Sequence, residues 1–232
     1  MPAAGQRKLF RRNHLSTNDA PAPVAQAFGV ADPGPLGLAA FALTTFLLSA
    51  KNAGWMGSAT GSAWLTYAFA YGGLAQLLAG MWEFRNRNIF GATAFASYGA
   101  FWIGLALWVR LVATAAPPAK MLATAYGAEV GKDLAWILLA WAIFTLLMLI
   151  VTTQLNTALF VLFLVLEVTF ILLAIGNFSA SGTNIVKIGG YLGVVTAAAA
   201  WYVSFAGLIN GVSGRVVAPV GRPLFKFGGA HV

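Results

Sequence analysis

Residues 158–175 read ALFVLFLVLEVTFILLAI, an unbroken apolar run with one charged residue, Glu167, embedded in it. A helix rising 1.5 Å per residue needs about 20 such residues to cross a hydrocarbon core about 30 Å thick. The run is apolar on every side, whereas a membrane barrel strand alternates apolar and polar positions over about 10 residues. Lipid offers a backbone no hydrogen-bond partner, so a helix is the form this stretch can take. Comparable runs occupy 36–50, 63–84, 89–109, 134–151 and 188–209. The first is short and is expected to extend back through Pro33 and Pro35. The chain therefore reads as an all-α membrane protein with six transmembrane helices over 32–210. A basic N-terminal tail, 1–31, and a C-terminal tail, 211–232, flank them.

The inventory agrees. Of 232 residues, 59% are hydrophobic and 9% charged, where a soluble domain carries about a quarter charged residues. With no cysteine, disulfide frameworks, thiol nucleophiles and Cys-ligated metals are excluded together. The two histidines, His14 and His231, stand near opposite chain ends, so no imidazole metal site is expected and no cofactor is implied.

The formal charge of +8 reads as an orientation signal rather than a nucleic-acid footprint. Only Glu83 and Glu167 among the charged residues fall within the runs. With the N-terminus cytoplasmic, the inner side holds Arg7, Lys8, Arg11, Arg12, Arg85, Arg87, Arg215, Arg222 and Lys226. The outer side holds Lys51, Arg110, Lys120, Lys132 and Lys187, with Glu129 and Asp133 beside them. The basic excess inside places both termini in the cytoplasm of a plasma (inner) membrane protein. The N-terminal tail is expected to be uncleaved and able to touch anionic lipid headgroups. The longest loop, about 110–133 with Pro117 and Pro118, is expected outside.

Polar side chains recur at helical spacing within the runs. Gly73, Gln76, Gly80 and Glu83 share one face; so do Thr145, Thr152 and Asn156; Phe41, Thr44, Thr45 and Asn52; and Leu166, Thr169, Leu173 and Asn177. Each face fits close packing and interhelical hydrogen bonds as well as a lumen, but such faces on four helices suggest a shared path. Glu167 fits a neutral acid bonded to a neighbour as well as a substrate or proton role. Trp55, Trp82, Trp108 and Trp136 lie near run ends, as an aromatic belt requires.

Two motifs for hydrolysis or phosphate binding fail on inspection. Gly211-Val212-Ser213-Gly214 has the form of an intramembrane serine protease motif, but no histidine lies in any run to act as base. Gly127 to Lys132 superficially matches a phosphate loop, with one spacer too few and Asp133 where Ser or Thr is needed; it is expected in a loop. Asn177-Phe178-Ser179 fits a glycosylation sequon placed too near the membrane to serve.

Asp32-Pro33-Gly34-Pro35-Leu36-Gly37-Leu38 resembles the Asn-Pro-Ala-Pro-Leu-Gly-Leu signature of the acetate uptake transporter family. The resemblance continues through Phe41–Thr45, Lys51–Gly54, Tyr71–Gln76 with Gly80 and Glu83, Asn88, Phe90-Gly91, Thr93–Phe95, Ser97–Gly99 and Phe101-Trp102. It resumes at Ala174–Asn177 and covers about 32–210. It implies a homohexamer of six-helix protomers, each with a path for acetate and related small carboxylates such as succinate. A constriction would be formed by Phe41, Tyr98 and Leu166. Gln76 matches a polar position near substrate, and Ala200 a small residue linked to substrate size. Asp32, where the family has Asn, and Glu167, at a usually uncharged position, depart from the pattern.

From these residues Thr44, Thr45, Gln76, Thr145 and Asn177 are expected to offer neutral donors along a path gated by Phe41, Tyr98 and Leu166, in contact with membrane lipids and without enzymatic activity. Asp32, Glu167 and Ala200 are expected to tune pH response or selectivity. The alternatives are a proton-coupled symporter of the same acids and, from fungal members of the family, an ammonium exporter; an intramembrane hydrolase ranks below both.

Overall fold

A computed structural model describes residues 29–57, 63–113 and 127–225. Among these there is no strand. The helices are α1 (Gly34–Asn52), α2 (Ala63–Phe69), α3 (Gln76–Arg85), α4 (Ile89–Trp108), α5 (Gly127–Thr152), α6 (Thr157–Phe178) and α7 (Thr183–Ser213). Five spans in the described residues are long and apolar enough to cross a membrane: Gly34–Asn52, Ile89–Leu111, Val130–Thr152, Thr157–Phe178 and Thr183–Ser213.

Local chemistry sets the helix ends. Pro33 and Pro35 start α1, where a missing amide hydrogen costs nothing. Asn88 and Asn156 cap α4 and α6, their side chains accepting from Gly91 N at 3.1 Å and Leu159 N at 2.9 Å. Gly214, at φ 62°, closes α7 in the left-handed conformation that glycine adopts without a Cβ clash.

The sequence predicted one regular helix over 63–84. The structure instead joins α2 to α3 through Ala70–Ala75 in π geometry, with the helical backbone unbroken to Arg85. Gly72 and Gly73 lie in this wide turn. A Cβ on Gly72 would stand 2.5 Å from the Thr44 hydroxyl oxygen, and one on Gly73 would stand 2.6 Å from Ile103 Cγ1. The glycine pair thus lets the turn nest between α1 and α4. Gln76 follows immediately, so the turn sets which way that side chain is presented.

The most extensive seam joins α1 to α7, followed by α5 to α6 and α6 to α7; α3 packs on α4. Gly190 of α7 abuts the backbone of Asn52 and Ala53, and Gly193 abuts the Ser49 side chain. Both glycines thus pack inside the protomer. Outward faces remain apolar, with Leu147, Ile150, Val195 and Phe205 among the exposed side chains, as lipid or a neighbouring subunit requires.

Two boundaries differ from expectation. Helix α5 begins at Gly127, so Gly131, Lys132 and Asp133, expected in a loop, belong to a helix. After Gly214 the chain folds back over α5 and α6: Ala158 N donates to Val220 O at 2.9 Å, Thr157 Oγ1 to Arg222 O at 2.8 Å, and Leu224 N to Thr153 O at 2.9 Å. Asn210 holds this strap, accepting from Val217 N at 2.7 Å and Ala218 N at 2.9 Å. The basic cluster of 7–12, His14, Pro117, Pro118, Lys120, Lys226, His231 and the Glu129 side chain lie outside what is described.

Candidate functional site

Two internal cavities share part of their walls. The first, about 30 Å³, is lined by Leu38 and Phe41 of α1, Gln76 of α3, Phe90, Ala94, Phe95 and Tyr98 of α4, and Leu159, Leu162, Phe163 and Leu166 of α6. The second, about 40 Å³, is lined by Phe41, Thr45, Leu48, Ser49 and Asn52 of α1, Phe101 and Trp102 of α4, Leu138 of α5, and Leu166, Thr169, Phe170 and Leu173 of α6. The first uses the N-terminal halves of α1, α4 and α6 and the second their later residues, so these three helices run in one direction along both. We call them inner and outer, after the orientation expected from charge.

Phe41 and Leu166 line both cavities, and form the waist between them. Tyr98 stands beside Phe41, ring centroids 5.8 Å apart, in a cage completed by Trp141, Phe144 and Phe163 at 5.6, 5.5 and 6.2 Å. Its hydroxyl lies 2.8 Å from Thr145 Oγ1. Thr145 donates its own hydrogen to Trp141 O at 2.7 Å, so in this pair Tyr98 is the donor. Each cavity has room for little more than a water.

The expected polar residues divide sharply. Gln76 is 1% exposed on the inner cavity, its Oε1 without a partner; Thr45 is 6% exposed on the outer cavity, its Oγ1 also without one. Thr44 lines neither cavity: its hydroxyl donates to Ala40 O at 3.0 Å, the usual recourse of a threonine in an apolar helix. Thr145 is likewise bonded away from both. Asn177 Nδ2 donates to Leu173 O at 2.8 Å, off the outer cavity. Ala200 is wholly buried in the core and lines neither cavity.

Asp32 is exposed ahead of α1, its Oδ1 accepting from Gly34 N at 2.9 Å. Glu167, one residue from the waist, is 7% exposed with its Oε2 buried and unpaired. Glu83 is fully buried where α1, α3 and α4 converge: Asn86 Nδ2 donates to its Oε2 at 3.0 Å, and its other oxygen faces Gly91 and Gly34. Those glycines begin the first turns of α4 and α1, whose positive dipole ends suit a carboxylate. The connection is tight enough to hold Arg87 at φ 60°.

Trp102 escaped functional notice in the sequence. It is 3% exposed on the outer cavity, and its indole Nε1 has no partner. No motif marks such a donor, because the orphaned group is defined by what surrounds it in space.

The fold defines a helical membrane protein that encloses two neutral-walled cavities. The family model for the GPR1/FUN34/yaaH family matches residues 14–222, and this chain belongs to that family. It is 40% identical to acetate permease A of Emericella nidulans over 82% of this chain, spanning 65% of that relative's length. It is 37% identical to the succinate-acetate/proton symporter SatP of Escherichia coli, over 83% of this chain and 96% of that one. Among solved structures it is similar to the bacterial acetate channel SatP, with a TM-score of 0.71 and 37% identity over 83% of this chain and 99% of that chain. The protein is an integral membrane protein.

Proposed function

We propose that this protein carries acetate and related small carboxylates, succinate included, along the line of the two cavities, and that Phe41, Leu166 and Tyr98 gate the path. The observation that carries this reading is that Phe41 and Leu166 wall both cavities, with the Gln76 side chain, whose amide nitrogen can donate, lining one and the unpaired Thr45 hydroxyl lining the other. Acetate is mostly anionic at neutral pH, and bare hydrocarbon strongly disfavours an anion. Gln76 and Thr45 replace part of its hydration without a fixed positive charge, so binding is weak and exit fast. Thr145 acts by holding the Tyr98 ring, and Thr44 by seating the π turn through Gly72. Asn177 closes α6, Ala200 acts through packing, and Asp32 adds negative charge at the inner mouth. Ala63–Arg85 serves as a sixth crossing, both termini face the cytoplasm of a plasma membrane, and six copies assemble.

Among the described residues no acid lines either cavity, which suits an anion better than ammonium. Uptake of labelled acetate into proteoliposomes, with and without a proton gradient, tests the function. Flux running down the acetate gradient alone is expected; vesicles that pass ammonium and no carboxylate would contradict it.

A second reading, proton-coupled symport of the same acids, is favoured by Glu167, whose unpaired carboxyl lies beside the gate. In this reading Glu167→Gln flattens the pH dependence of acetate flux. An unchanged profile reduces Glu167 to packing.

A further inference from the structure

The strap that follows Gly214 walls a third space, separate from the two internal cavities. This crevice, about 500 Å³, lies between Ala158 and Val161 of α6, Ala199 and Tyr202 of α7, and Pro219 and Val220 of the strap. It opens at the molecular surface, where Val161 and Tyr202 remain 45% and 43% exposed. Its size falls within the range of about 300–1,000 Å³ that ligand sites occupy. The two hydroxyls in its wall are spent on holding the strap: Thr157 Oγ1 donates to Arg222 O and Tyr202 OH to Pro219 O. What the crevice offers an occupant is hydrocarbon.

The rim is different. No Asp or Glu follows Glu167 in the chain, and the charges of 211–232 are Arg215, Arg222 and Lys226. Arg222 comes directly after Gly221, which lines the crevice, and both Arg215 and Arg222 are exposed. Beside them the strap leaves Val216 78% and Phe225 65% exposed. Apolar side chains and arginines alternating on one surface suit the boundary between acyl chains and headgroups, where each finds its own medium. Ser204 Oγ donates to Pro35 O at 2.6 Å, which sets the strap's end of α7 beside the start of α1, at an end of the bundle and not at its middle.

We infer that this crevice is a binding site for one anionic phospholipid, an acyl chain lying between α6 and α7 and the phosphate meeting Arg222 and Arg215 at the strap. Arginine suits that role, because its planar fork pairs with two phosphate oxygens at once. Charge favours lipid over a second copy of this chain. Among the described residues, the exposed acid at this end of the bundle is Asp32, since Glu83 and Glu167 are buried. A second copy therefore has little to set against two guanidinium groups, whereas an anionic leaflet supplies a phosphate to each. The site is independent of what the protein carries. By clamping the strap onto the first turn of α6, a bound lipid also stabilises the folded chain.

The test is a lipid titration of the full chain in detergent, read by native mass spectrometry. Phosphatidylglycerol, phosphatidylcholine with the same acyl chains, and glycerol phosphate as the headgroup alone are the three probes. The parent is expected to retain phosphatidylglycerol at least tenfold more tightly than phosphatidylcholine, and glycerol phosphate not at all. Arg222→Gln and Arg215→Gln should each weaken phosphatidylglycerol about fivefold, the effect of one basic residue at an anionic surface. Lys187→Gln, at the other end of α7, should stay within about twofold. Ala199→Trp fills the crevice and keeps every charge, and is expected to abolish retention. The chain has no cysteine, so Val161→Cys carries a single benzophenone label; in phosphatidylglycerol vesicles its photoproduct is expected to be a lipid adduct. Equal retention of the two phospholipids overturns the site, as does parental retention in Ala199→Trp or in both arginine variants. Glycerol phosphate held as tightly as the lipid, or a photoproduct joining two copies of the chain, overturns it as well. If Ala199→Trp does not fold, the arginine variants and the photoproduct decide.

Discussion

Where α1 meets α7, backbones touch; where α4 meets α5 and α6, rings do. In the first seam Gly190 leaves no room for even a methyl group between α7 and the backbone at Asn52 and Ala53. In the second, Tyr98, Phe101, Trp141, Phe144 and Phe163 stack at centroid distances of 4.9 to 6.2 Å and hold the helices apart. Close backbone packing gives no side chain to move, so the glycine seam is scaffold. A seam built from side chains has rotamers to change, and both cavities open beside it.

The sharpest way to break the contrast is to force the scaffold apart. Gly190→Val places branched carbons where backbone already stands, and overpacking of this kind costs about 3 kcal/mol. A large drop in thermal midpoint, or loss of folded protein, is expected in detergent. A parental midpoint would mean that the seam yields as freely as the ring-filled one.

A smaller effect tests the ring side. Tyr98→Phe and Thr145→Val each remove the same 2.8 Å hydrogen bond, a loss of about 1 kcal/mol. The double variant is expected to be little worse than either single one, because the two residues share one interaction. Additive losses would show that Thr145 supports the fold independently of the gate tyrosine.

Much of this was legible in order of residues, and the exceptions have physical causes. Long apolar runs marked five of the spans, since a membrane demands length and uniform hydropathy, which sequence carries directly. The π turn at Ala70–Ala75 was not visible as such, although Gly72-Gly73 within an apolar run hinted at close approach. Of the five expected donors, Thr44 and Thr145 turn their hydrogens to carbonyls four residues back. That bond is local and its tendency general, so this much was readable, whereas the freedom of Thr45 was not. Trp102 and the buried seat of Glu83 depend on side chains that meet across helices, and nothing in their spacing announces it. The strap at 217–224 was read as a tail because its partners, Asn210, Thr157 and Thr153, bind its backbone and impose no residue pattern.

The central claim is that the two cavities form one path through the Phe41–Leu166 waist. It is tested most directly by filling and then emptying that waist, comparing labelled acetate flux in proteoliposomes for Leu166→Trp, Leu166→Ala and the parent, each confirmed folded. Flux is expected to fall to background in Leu166→Trp, while Leu166→Ala passes bulkier carboxylates roughly tenfold faster, equivalent to about 1.4 kcal/mol off the barrier. Parental acetate flux through Leu166→Trp would contradict the claim and send the substrate by another route.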